Sequence, residues 1–112
     1  MSKFDIAPPV KSEVVPVPEW LERFGEVVVS ESYGPKSQDI IDIIAEFQSE
    51  GGAKNERLGK LRMISACCTV GGETPPIEWL EQAPLRIQGM LYNKVLEING
   101  LSNAAQETIE KN

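Results

Sequence analysis

The chain contains no histidine. That removes the commonest general base near neutral pH and the commonest metal ligand. It also leaves no Ser–His or Cys–His pair to build a nucleophile from. Cysteine is scarce, and the only two, Cys67 and Cys68, are adjacent. Neighbouring thiols rarely bridge, because a disulfide would strain the peptide between them. Two thiols also cannot supply four tetrahedral zinc ligands. No apolar run approaches the roughly 20 residues that span a bilayer. Met1 to Val10 lacks the sustained apolar segment of a secretory signal. Phosphate-cradling motifs are missing too. Gly71-Gly72 is not followed by the Lys-Ser/Thr of a P-loop, and no G-x-G-x-x-G follows a strand. No cofactor and no metal are therefore expected, and the expected setting is a reducing cytoplasm.

Aromatic residues are few: two Trp, two Tyr and three Phe in 112 residues. The core must rest on Ile, Leu, Val and Met, and this length suffices for one domain with a real core. Acidic residues outnumber basic ones by 17 to 11, a net charge of −6. Nucleic-acid affinity depends on cations that neutralise phosphate. The charge balance thus argues against DNA, RNA and anionic membrane surfaces, and reads as keeping the chain itself soluble.

Residues 1–12 read as a flexible N-terminal arm interrupted by Pro8 and Pro9, and 13–112 as a single domain. Val14-Val15-Pro16-Val17 is a short extended run, and its proline restricts it to a sheet edge or a strand end. Pro18-Glu19-Trp20 breaks the chain. Val27-Val28-Val29 then favours a second strand, which suggests a small β-hairpin. Ile40, Ile43, Ile44 and Phe47 recur at helical spacing, with Ile41 and Ala45 widening the stripe, Ser37 as a cap and Gly51-Gly52 as a stop. A second helix is expected from about Lys54 to Thr69, with Leu58, Leu61, Ile64 and Cys68 on one face. Ile77 to Leu80 begins a short helical turn after Pro76. Leu85 to Ile98 is a further helix striped by Ile87, Leu91, Val95 and Ile98. Asn99-Gly100 ends it, and Ser102 caps a last short helix. The fold class is α+β, mostly α-helical: a small N-terminal β-hairpin followed by four or five helices.

Several side chains could carry function. Glu46 and Glu50 lie one helical turn apart, but a solvated charged face explains them. Either cysteine could be a reactive thiol beside Arg62, or Cys68 could be a small core residue near Leu61 and Ile64. Trp20 and Trp79 stand in similar contexts, Pro18-Glu19-Trp20-Leu21 and Pro76-Ile77-Glu78-Trp79-Leu80. They suit interface anchors, or rings that seal a small core under loops. Leu91 and Tyr92 on the last long helix are the other candidate partner-binding residues, since Tyr suits a half-wet interface.

Val17-Pro18-Glu19-Trp20, then Gly25 and Val27-Val28-Val29, resembles the opening of the tail assembly chaperones of long-tailed bacteriophages. Arg62, Ile64-Ser65-Ala66-Cys67-Cys68 and Gly71-Gly72 resemble that family's helix leading into a glycine-containing turn. The stretch Val95-Leu96-Glu97-Ile98-Asn99-Gly100-Leu101-Ser102, with Ala105, Glu107, Ile109 and Glu110-Lys111-Asn112, is similar to its usual close. The resemblance spans about residues 14–112 and rests on order and spacing. One departure is Leu21-Glu22-Arg23-Phe24, where the family usually passes almost directly from Trp to Gly. The resemblance implies a chain that binds and solubilises the tape measure protein and helps recruit tail tube subunits. It also implies self-association, action in the host bacterial cytoplasm, and absence from the mature virion. Many members also occur in a longer frameshifted form, and a chain closing at Asn112 looks like the shorter one. A different class, a head or tail connector retained in the virion, would suit a small acidic α+β chain as well.

Overall fold

The structure is a computed structural model that describes residues 3–5, 9–48 and 52–101. After a short 3-10 turn at Lys3–Asp5, the order is β1 (Ser12–Val15), α1 (Pro18–Phe24), β2 (Val27–Ser30) and α2 (Pro35–Gln48). It continues with α3 (Gly52–Cys67), β3 (Cys68–Val70), α4 (Ile77–Glu81) and α5 (Leu85–Ile98). The chain is α+β and mostly helical, with one small antiparallel sheet in the order β1-β2-β3. The expected last helix from Ser102 lies outside the described residues.

The two valine-rich runs pair antiparallel as expected, with Val14 opposite Val28 and Val15 opposite Val27. Their connection is not a tight hairpin turn. Pro18 opens a helix instead, because its fixed φ suits the first helical position. Glu19 lies in the first turn of α1 and Arg23 in the last, each favourable to the helix dipole. Leu21 to Phe24 simply continue α1. Two helical turns are marginal alone, and burial of Trp20 holds them to the body. Pro16 falls just past β1, which is an edge strand, so its missing N–H costs no ladder bond.

The helix expected to run to Thr69 ends at Cys67, and Cys68 to Val70 form β3. The apparent helical spacing of Leu61, Ile64 and Cys68 was coincidental in its last member. Cys68 and Val70 alternate inward with Thr69 between them, opposite Val29, Val28 and Val27. The open edge of β2 supplied hydrogen-bond partners that outweighed local helical preference. Leu58 is also exposed rather than buried with Leu61 and Ile64. Helix α2 opens at Pro35, whose fixed φ suits a first turn, so Ser37 lies inside it rather than capping it, and Gly52 opens α3 rather than only stopping α2. Ile40 and Ile43 face inward from α2, but Ile41 and Ala45 point out instead of widening the buried stripe. Helix α5 matches the expected bounds and buries Ile87, Leu91, Val95, Leu96 and Ile98.

Helix α3 is the hub: it packs against α2, α4 and α5, and α5 also lies on β2. An ion pair of 2.7 Å between Arg62 and Glu46 joins α3 to α2 at the surface. Polar side chains close the helix ends. Buried Gln88 donates from Nε2 to the Leu80 carbonyl at 3.0 Å, in the last turn of α4, and to the Ala83 carbonyl at 2.8 Å in the loop beyond it. Asn99 ties three elements at the end of α5. Its Oδ1 accepts from the Ser32 N–H at 2.8 Å, and its Nδ2 donates to the Val95 carbonyl at 2.8 Å and towards the Cys67 Sγ at 3.8 Å.

Among the described glycines, Gly71 makes the tightest approach, against the end of α1. Gly71 (φ +59°) donates its N–H to the Glu26 carbonyl at 2.9 Å, and a Cβ there would run into the Phe24 carbonyl oxygen. A Cβ on Gly25 (φ +103°) would come within 2.7 Å of the Gly71 Cα. Both the left-handed backbone and the missing side chain are required. Gly71→Ala should therefore lower the unfolding free energy by about 3 kcal/mol, adding a left-handed penalty to an overpacking one. Urea denaturation followed by tryptophan fluorescence measures this, and an unchanged midpoint would contradict the crossing.

Candidate functional site

The two Pro/Glu/Trp segments fold alike. Pro18 is the first residue of α1, and Pro76 is the N-cap of α4. Each tryptophan therefore occupies the third position of a short helix. The Gly25–Gly71 crossing brings these helices together, and the Ser65 hydroxyl donates to the Pro75 carbonyl at 2.9 Å, anchoring the loop before α4 to α3. The Trp20 and Trp79 ring centroids are 4.7 Å apart and tilted by 56°. Phe24, one turn beyond Trp20, meets Trp79 edge-on at 5.1 Å and 80°. Such tilted and T-shaped pairs suit the ring quadrupoles.

The cluster is graded from inside to outside. Trp20 is buried, Trp79 is half-buried, and Phe24 is 43% exposed. Beside it opens a cleft of about 300 Å³ lined by Phe24, Val70, Pro75, Pro76 and Trp79, with Glu73 at its edge. The two readings of the tryptophans thus divide between them: Trp20 seals the core, and Trp79 both covers the core and faces the cleft. Phe24 was missed in the sequence because α1 was read as a chain break. A helix there would have placed Phe24 one turn after Trp20.

Leu91 and Tyr92 are not part of this cluster. Leu91 is 1% exposed and packed in the core, so its side chain offers nothing to a partner. The α5 stripe that identified Leu91 as apolar is the stripe that faces inward. Tyr92 is half-buried in a separate groove between α3 and α5, with the Lys60 Nζ 5.2 Å from its ring centroid.

The chemistry around these clefts is sparse. Burial raises the pKa of both thiols, with Asn99 and Lys36 opposing the effect at Cys67, and Cys68 is pushed up to about 12. A protonated, buried thiol is a poor nucleophile, which argues against thiolate chemistry at either position. Among the described residues, no group of three or more Cys, Asp or Glu is placed to hold a metal ion. Glu46 is engaged with Arg62, and Glu50 lies outside the described residues. The Lys94 ammonium lowers the Glu13 carboxyl, while Glu19 is lowered by a backbone N–H and by Arg86. These are exposed surface pairs. Among the described residues, no helix is long and apolar enough to cross a membrane. Comparison with known families, curated proteins and solved structures found no match to the chain.

The grading of the cluster predicts different costs of truncation. Trp20→Ala should destabilise the fold by about 3–5 kcal/mol, the usual cost of emptying a large core site. Trp79→Ala should cost only about 1–2 kcal/mol, for partial burial and two ring contacts. Equal losses in thermal denaturation would show that the two rings are not graded in this way.

The buried thiols predict a pH effect. An unfolded cysteine ionises near about 8.5, whereas folded Cys68 holds its proton to about 12. Above the lower value the unfolded chain binds fewer protons than the native one, so stability falls as pH rises. The contribution is intact below about pH 8.5 and is lost on the way to 12. Cys68→Ala should flatten this alkaline slope in denaturation midpoints between the two values, and an unaltered slope would contradict the assignment.

Proposed function

We propose that this chain is a tail assembly chaperone of a long-tailed bacteriophage. It binds and solubilises the tape measure protein by contact and helps recruit tail tube subunits. The observation that carries the reading is the half-open aromatic cleft beside Phe24 and Trp79. A holding protein needs apolar surface for a partner helix and charge for solubility. The cleft supplies Trp79, Phe24 and two prolines, and the net charge of −6 keeps the free chain soluble. Trp at the rim of a pocket, anchored by a buried neighbour, has the form of an interface hot spot. On this reading the chain acts in the host cytoplasm and leaves before the particle is complete.

Co-expression with the tape measure protein of the same genome tests the proposal. The tape measure protein should become soluble and co-purify with the chain. Trp79→Ala should weaken the complex by about thirtyfold, the effect of losing a hot-spot side chain worth about 2 kcal/mol. A tape measure protein that stays insoluble, with no complex recovered, would sink the reading. Mass spectrometry of purified particles should find the chain absent. Stoichiometric presence would favour a connector instead.

A further inference from the structure

The Trp79 cleft is not wholly apolar. Glu73 stands at its edge, and among the described residues no Lys or Arg lines it. The Glu73 backbone is held in place on both sides. Its N–H donates to the Val70 carbonyl at 3.1 Å, and its carbonyl accepts from the Val70 N–H at 2.8 Å. The carboxylate itself is exposed and has no partner among the described residues. Glu46, Glu19 and Glu13, by contrast, are each met by a cation at 2.7 Å, from Arg62, Arg86 and Lys94. Residues 18–26 and 73–82, which carry the three rings and most of the cleft wall, contain six carboxylates and one cation, Arg23. The cleft therefore opens into a negative field that favours a cationic visitor.

The rings favour the same chemistry. Phe24 and Trp79 stand at 80° to one another with centroids 5.1 Å apart, and so form a corner. A cation set against aromatic faces is attracted by the ring quadrupoles. A guanidinium suits this corner better than an ammonium. It is planar, it stacks on a ring, and it still presents a fork of N–H donors to a carboxylate. Its aliphatic stem lies well on apolar surface while the charged head stays wet, and Val70 and Pro75 supply that surface. A purely apolar side chain would fill the cleft and leave Glu73 unused.

We propose that the cleft takes an arginine side chain presented by the apolar face of a partner helix. The guanidinium stacks against Trp79 and Phe24 and donates to the Glu73 carboxylate. This rests on the reading of the cleft as the partner-binding site, and adds which side chain of the partner enters it.

A matched pair of synthetic peptides tests the assignment on the full chain. Both are amphipathic helices of alanine, leucine and glutamine, about 16 residues long. One carries a single arginine in its apolar face, and the other carries citrulline, the neutral isostere, at the same position. In isothermal titration calorimetry the arginine peptide should bind about tenfold more tightly than the citrulline peptide. Glu73→Gln keeps the backbone bridge to Val70 and should cut that preference to about threefold, leaving the ring contact. Circular dichroism should show native helical content in the variant. Equal affinities for the two peptides would overturn the proposal. So would a preference that Glu73→Gln leaves intact, or an arginine peptide that does not bind at millimolar concentration. A tape measure protein that forms no complex refutes the assembly reading and leaves the peptide comparison standing. Equal peptide affinities refute the arginine and leave that complex standing.

Discussion

The contact of Gly71 with Phe24 and Gly25 is the constraint from which the rest of the structure follows. The two backbones come so close that no side chain fits between them. The Gly71 N–H bonds to Glu26 just before β2, which extends the register of β3 on β2. The same contact holds the end of α1 beside the turn leading to α4. Trp20, Phe24 and Trp79 meet where their helices are clamped by this contact.

Short elements elsewhere are held by side chains rather than by their own propensity. Five-residue α4 could not persist alone. Leu80 is fully buried, and Gln88 occupies the Leu80 carbonyl in the last turn. Asn99 does the same for α5 while reaching Ser32 after β2 and Cys67 at the end of α3. A buried polar group left without a partner costs more than a satisfied one contributes. In the described residues every fully buried side-chain nitrogen or oxygen has a partner. These bonds set where the helices stop, and the apolar core sets how they pack.

The distribution of charge and apolar surface links the fold to the proposed roles. Carboxylates dominate the outside, yet the α3–α5 groove presents cations and the Trp79 cleft presents rings and prolines. A protein that works by contact needs such local departures from its average surface. On the reading advanced here, the Trp79 cleft receives a partner.

Composition and periodicity were enough to establish a mostly helical chain with a small sheet, and the bounds of α5 could be read directly. An amphipathic helix writes its buried face into a few consecutive turns, so a local window contains the information. Histidine's absence and the scarcity of cysteine were equally legible, because they concern inventory rather than place. The tertiary structure alone decided that Pro18 starts a helix, that Cys68 leaves α3 for a strand, and that Trp20 is core while Trp79 is partly open. It also decided that Leu91 is sealed and Gly89 bare to solvent. Each of these depends on a partner distant in sequence: the open edge of β2, the Gly25–Gly71 crossing, or the helix across a groove. Burial and strand pairing are properties of what lies opposite, and no local stretch of sequence contains its own opposite side.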